Sequence, residues 1–322
     1  MKYGTVAYVA KPVSRIVFGC AISPVVLSKD GNEIFDSAWQ AGINTFDLAR
    51  NYVASEMHFG NWLEKRGVRD RTVILSKCGH PSLFGRARLT KQDILNDFSR
   101  STRQLKTDYI DIYLLHRDDE SQDVSVAVEI MNELHAAGKI GAFGGSNWKH
   151  TRIEEANEYA YKHGLVPFSV SSPNFGLAEQ VNDPWGGGCV SISGVQNASA
   201  RKWYLDHSIA IFAYSALGRG LFSGKLHSND LGNLGSVLDQ AAQRGYCSEE
   251  NFERLRRCEI IAERHSATVP QVALAWIFTQ GLDVFAVVSA TAKERILSNV
   301  ASLDLQLSSQ EAEYLDLRRA SV

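Results

Sequence analysis

Little in this chain points outward. Its 322 residues include no apolar run approaching the roughly 20 that a membrane-spanning helix needs. Residues 1–14 are mixed in character, without the apolar core of a secretion signal, so no leader is expected. Lys and Arg number 34 against 36 Asp and Glu, and a net charge of −2 leaves no bulk field to recruit nucleic acid or an anionic membrane. The five cysteines, at 20, 78, 189, 247 and 258, are odd in number, scattered and free of Cys-x-x-Cys spacing. That argues against a disulfide framework or a zinc site and favours a reducing, cytoplasmic setting. No linker, repeat or low-complexity tract interrupts the chain, so one domain over residues 1–322 is expected.

What is present is a rhythm. Short apolar runs at residues 15–19, 43–46, 72–76, 110–115, 142–144, 168–171, 209–214 and 284–288 read as strands. Amphipathic helices are expected near 32–40, 56–65, 151–161, 249–265, 270–279 and 293–300. Thr90 and Asp93 look like a capping box opening another helix, whose Ile94, Phe98, Thr102 and Leu105 share a face. Ala127, Ile130, Met131 and Leu134 mark a further one, and Ser308-x-x-Glu311 opens the last. The stretch 177–208, with Gly186-Gly187-Gly188, reads as a long loop. Eight strands, each followed by a helix and several apolar throughout, fit an α/β architecture: a (β/α)8 TIM barrel with extra helices and long loops at its C-terminal face.

Active sites of such barrels are built from the C-terminal strand ends and the loops after them. Those ends carry Asp47 after strand two, Tyr52 in the following loop, Lys77 after strand three and His116 after strand four. Singly, each has a structural reading, as a buried Asp47–Lys77 ion pair or a core histidine. Together they suit proton donation by a phenol. An ammonium about 4 Å away favours the phenolate by at most ~4 kcal/mol at an effective dielectric of 20. That is roughly three pKa units, partly offset by Asp47. His116 can hydrogen-bond the carbonyl oxygen being protonated. The missing hydride must come from a cofactor, because no side chain supplies one.

These four residues, with Phe46-Asp47-x4-Tyr52-x2-Ser55-Glu56, Leu114-Leu115-His116 and Gly144-Gly145-Ser146-Asn147, resemble the catalytic tetrad and surrounding motifs of the aldo-keto reductase superfamily. The resemblance runs from Arg15 to Asn299. It implies an NAD(P)H-dependent reductase of aldehydes or ketones, with the cofactor extended across the barrel mouth. Carried over by position, Ser146, Asn147 and Ser172 resemble the carboxamide ligands, and Tyr214 the ring stacked on the nicotinamide. Ser215, Leu217, Arg219 and Gly220 resemble the pyrophosphate loop. Thr291, Arg295 and Asn299 fall at the adenosine end. Backbone N–H groups of a glycine-rich loop suit phosphate on physical grounds as well.

The chain departs from the family pattern in two places. Ser172 stands where many members have Gln, and Ala292 where a basic residue is common. Arg295 or Lys293 can still hold a 2′-phosphate, so NADP(H) is the expected cofactor, with NAD(H) as the alternative. Substrate contacts are expected from Cys20, Phe84, Arg117 and Trp148, with Asp118 and Asp119 beside them, a set that suits a sugar-like or other hydroxylated carbonyl. The small-molecule partner is thus a carbonyl compound or the corresponding alcohol. No metal is expected, since a hydrolase using His116 and Asp47 would want His-x-His or clustered carboxylates. A cofactor-binding regulatory protein with little turnover is the other reading. Oligomeric state is not legible.

Overall fold

A computed structural model describes residues 1–27, 32–82 and 85–322. Eight parallel strands close into a barrel. They are β1 (Ile16–Gly19), β2 (Thr45–Asp47), β3 (Val73–Cys78), β4 (Ile110–Leu115), β5 (Ile140–Ser146), β6 (Val170–Ser172), β7 (Ala210–Ala213) and β8 (Val284–Val288). Each pairs with the next, and β8 pairs with β1, with Ala286 opposite Ile16. The expected strands are all present, with ends shifted by up to two residues.

Side-chain alternation along a strand makes two layers from this sheet. Inward positions hold Val17, Val73, Leu75, Ile112, Leu114, Val170, Phe212, Phe285 and Val287, a packed interior separate from the larger core outside the sheet. Phe212 and Phe285 stack there at 4.8 Å. Outward positions such as Phe18, Phe46, Ile74 and Tyr113 pack against the helices. An N-terminal hairpin, Tyr3–Gly4 with Val13–Ser14, lies beneath the barrel and adds Val6 and Val13 to the inner layer. Asp111 is buried at this end, pairing with Lys11 at 2.6 Å and Arg69 at 2.9 Å.

The helices stop and start on local signals. Thr90 accepts from the Asp93 backbone N–H to cap Lys91–Leu105, and Ser308 with Glu311 forms a full capping box for Ser309–Leu315. Asp123 caps Val124–Ala136, accepting from the Ser125 backbone N–H. The loop expected over 177–208 contains a helix, Ala198–His207, that buries Ala200, Trp203 and Tyr204. Shorter helices at Ser23–Leu27, Leu234–Val237 and Gln240–Tyr246 were also not anticipated.

Helix Ser55–Arg66 crosses Lys91–Leu105 at Gly60, where an added Cβ would overlap the Gln104 carbonyl oxygen and come within 2.8 Å of Leu105 Cα. Alanine would gain about 1 kcal/mol of helix propensity. Overpacking against backbone typically costs about 1–3 kcal/mol, and here the opposing atoms cannot rotate away. Gly60→Ala should therefore destabilise the fold by roughly 1–2 kcal/mol in urea unfolding. A stabilised variant would show that the helix pair has room to spread.

Candidate active site

The uppermost inward position of every strand, or the next inward position beyond its end, is polar or small. In order these are Gly19, Asp47, Lys77, His116, Ser146, Ser172, Tyr214 and Ser289, and all eight line one cavity of about 780 Å³. The same alternation that fills the interior with Val, Leu and Phe thus places reactive groups at its mouth.

Backbone pairing that continues past the strand ends fixes this layer. Leu48 N–H donates to Leu75 O at 2.8 Å and Arg50 N–H to Lys77 O at 3.0 Å, holding the chain after Asp47 against β3. His116 N–H donates to Cys78 O at 2.7 Å. Tyr52 follows a tight turn, its N–H bonded to Ala49 O at 3.0 Å, and Ser55 N–H bonds back to Tyr52 O at 2.9 Å.

Lys77 Nζ makes an ion pair with Asp47 Oδ1, donates to Leu48 O at 3.0 Å and lies 3.5 Å from Tyr52 Oη. Its side chain is 3% exposed and that of Asp47 7%, so water hardly screens the pair. Burial lowers the Lys77 pKa, but Asp47 and Tyr52 outweigh it and hold the ammonium above its ordinary value. Burial raises the Asp47 carboxyl, opposed by Lys77. The mutual contact keeps the pair as ammonium and carboxylate.

Tyr52 behaves differently from the sequence-based expectation. Burial raises its phenol above the usual 10.0, and Lys77, opposed by Asp47, offsets only part of that. The phenol is therefore protonated at neutral pH. The His116 ring meets Tyr52 edge-on at 5.8 Å. Burial, then Lys77, His80 and Arg117, push its pKa well below 6.5, so it is neutral. Its Nδ1 is buried without a hydrogen-bond partner among the described residues.

A second group of residues forms another arm of the cavity. Tyr214 Oη donates to Asn147 Oδ1 at 2.6 Å, and Asn147 Nδ2 donates to Ser146 Oγ at 3.1 Å. Ser172 Oγ donates to Phe212 O. The loop after β7 holds Ser215, Gly218, Arg219 and Gly220 at φ between 51° and 108°. Left-handed backbone at Ser215 and Arg219 is strained, and such turns gather N–H groups that suit an anion. Lys225 and Arg295 line the same arm with no ion-pair partner among the described residues, and Thr291 lies beside them. Arg219 is held by Asp239 at 2.8 and 3.0 Å.

Several expected residues sit elsewhere. Cys20 is buried, its thiol donating to Phe18 O, and does not line the cavity. Trp148 is 1% exposed, packed on Phe168 at 5.5 Å and also off the cavity. Asn299 is buried in helix Lys293–Ala301, where its carbonyl accepts from Ser302 Oγ. Phe84 lies outside the described residues. Asp118 pairs with Arg152 at 3.0 Å, and Asp119 accepts from Ser121. The carboxylates considered for hydroxyl recognition are therefore engaged. Arg117 does line the cavity.

Lining residues not assigned to the site from sequence include His80, Trp185 and Lys225. His80 stands three residues past Lys77, in a loop pinned by buried Asp97, which accepts from Gly79 N–H at 3.0 Å. Extending the strand-end rule into each following loop finds it. Trp185 sits beside the triple glycine, its ring 6.2 Å from that of Tyr214 and 5.2 Å from the Arg219 guanidinium.

The aldo/keto reductase family model matches residues 16–318. The chain belongs to the aldo/keto reductase family. This is a family of oxidoreductases that generally use nicotinamide cofactors. The aldo-keto reductase str7 of Strobilurus tenacellus is 28% identical over 291 residues, covering 87% of this chain and 78% of the relative. The norsolorinic acid reductase stcV of Emericella nidulans is 25% identical over 290 residues, covering 86% and 69%. The NADH-specific methylglyoxal reductase of Escherichia coli strain K12 is 27% identical over 303 residues, covering 85% and 83%. Reductases thus recur among the relatives, while their printed names do not agree on a substrate.

Removing the Asp47 carboxylate tests the electrostatics. Asp47→Ala leaves a buried ammonium unpaired, which typically costs roughly 3–5 kcal/mol. Without its partner the folded-state Lys77 pKa drops below the ordinary 10.5. The unfolded chain then binds more protons, so the deficit shrinks as pH rises toward that value. Urea unfolding near pH 7 and near pH 9.5 should show the narrowing; a deficit that widens with pH contradicts the assignment.

Proposed function

We propose that the protein reduces an aldehyde or ketone with Tyr52 as the proton donor, using NADPH in preference to NADH. What carries this reading is the convergence in one cavity of a protonated phenol, a buried ammonium–carboxylate pair and a neutral imidazole with an anion-suited loop. A reduced nicotinamide bound there supplies the hydride.

The chain's own residues do the rest. Ser146, Asn147 and Ser172 are assigned to the carboxamide, and the Tyr214 ring to the nicotinamide face. Backbone N–H groups of the Ser215, Leu217, Arg219 and Gly220 loop are assigned to the diphosphate, with Lys225 adding charge. Arg295 is assigned to the 2′-phosphate and Thr291 to its surroundings. Tyr52 passes its proton to the carbonyl oxygen as that oxygen gains negative charge, and Lys77 stabilises the phenolate left behind. With no acceptor for Nδ1, neutral His116 carries its proton on Nε2 and donates to the same oxygen. The reverse reaction, alcohol oxidation, uses the same groups.

Tyr52→Phe should lower kcat by roughly 10²–10⁴ while leaving nucleotide affinity nearly unchanged, because only the donor is lost. Full activity in that variant would remove the assigned role. Reduction needs the phenol protonated, and its pKa lies above 10.0. The kcat/KM profile should therefore stay level from about pH 7 to pH 9 and fall only above about pH 10. A fall centred near neutrality would point to another acid. Arg295→Ala should weaken NADPH binding about tenfold or more relative to NADH, as expected for one charge-assisted contact. Equal effects on both nucleotides, in a fluorescence titration, would place the 2′-phosphate elsewhere.

A further inference from the structure

The cavity contains a cation that neither the tetrad nor the nucleotide arm uses. Arg117 follows His116 directly, is half-buried and lines the mouth. Its guanidinium donates from Nη1 to Gly188 O at 3.0 Å and from Nη2 to Cys189 Sγ at 3.7 Å. Neither partner carries charge, since burial raises the Cys189 thiol above its usual 9.0. Among the described residues no carboxylate lies within ion-pair distance of Arg117. Arg88 and Arg152, also partly buried, are each neutralised, by Asp97 at 2.8 Å and by Asp118 at 3.0 Å. The carboxylate next to Arg117 in the chain is thus already taken.

Position separates this cation from the nucleotide phosphates. In the closed strand order, β4 stands across the barrel from β8. Arg117 follows β4, whereas Arg295 follows β8 and lines the same cavity. The nucleotide arm thus has its own cations, and Arg117 lines the cavity from the opposite side, where His80 also lies, its ring meeting that of His116 edge-on at 5.0 Å. Partly desolvated cations in clefts attract anions strongly, and a guanidinium matches a carboxylate or phosphate through paired N–H donors.

We infer that the carbonyl substrate carries an anionic oxygen group, carboxylate or phosphate, that pairs with Arg117. This rests on the reductase reading above and names the substrate class for that site. The group lies near the reacting carbonyl, because Arg117 follows His116 directly and lines the same cavity as Tyr52. The sugar-like reading, by contrast, loses Asp118 to Arg152 and Trp148 to the helical layer.

Two other roles for Arg117 make a different prediction. A cation that only ties down the Gly186–Gly188 loop, or only favours charge developing on the carbonyl oxygen, acts alike on charged and neutral substrates. The test is kcat/KM for matched pairs: succinic semialdehyde against butanal, 2-carboxybenzaldehyde against benzaldehyde, and glyceraldehyde 3-phosphate against glyceraldehyde. The wild type should favour the anionic member of at least one pair by about tenfold or more, and the pair that shows it names the oxyanion. Arg117→Met should cut that ratio about tenfold or more, Arg117→Lys should keep part of it, and added salt should erode it. Absence of charge preference in every pair, or an unchanged ratio in Arg117→Met, overturns the inference and leaves the reductase reading standing. No nucleotide oxidation with any of these compounds removes the reductase reading and the inference together.

Discussion

The ammonium of Lys77 has almost no water to solvate it, and the mouth of the barrel is organised around that fact. The charge is tolerable only because Asp47 reaches it from the neighbouring strand, with Leu48 O and the Tyr52 hydroxyl taking further directions. That requirement fixes two strands, one turn and one phenol relative to each other. Burial, aided by that ammonium, drives the proton off His116, and burial keeps the Tyr52 phenol protonated against the ammonium's pull, so the site holds a neutral imidazole and a protonated phenol side by side. In the reaction proposed, both groups donate to the developing alkoxide, and neither would be so fixed at an exposed surface.

The cavity is polarised beyond the tetrad. One wall, after β7 and β8, offers strained backbone, Lys225 and Arg295; the opposite wall, after β4, offers Arg117. Between them three loops meet. The Trp185 ring lies tilted beside that of Tyr214 with the Arg219 guanidinium over it, and Arg219 is clasped by Asp239. These contacts join the segment after β6 to the phosphate-suited loop after β7, and Arg117 ties the same segment to the wall after β4 through Gly188 O.

The barrel was legible because strands buried on both faces must be apolar, and the tetrad because charged groups interrupt those runs at one end. Boundaries shifted where the alternation carries on through polar residues, as in Ser146 and Ser172. The two-residue strands of the hairpin have no pattern to read. Helix Ala198–His207 hid in its excursion because only three of its ten residues are buried, too few to mark a face. His80 and Trp185 reach the cavity through loop paths that no periodicity encodes. Cys20 and Trp148 illustrate the reverse: both lie next to site residues in sequence, and alternation turns them outward into the helical layer. The direction of the Tyr52 pKa was missed because Lys77 is visible in the sequence, whereas the burial that outweighs it is a property of the closed barrel.

The most direct test of the account is isotope tracing. Purified protein would be mixed with NADPH deuterated at the transferred C4 position and the anionic and neutral carbonyl compounds, and the alcohol analysed by mass spectrometry. The account predicts one deuterium on the carbinol carbon, formed in step with nucleotide oxidation. Nucleotide that binds yet delivers no deuterium to any of these carbonyls would contradict it and favour a protein that holds its cofactor without turning it over.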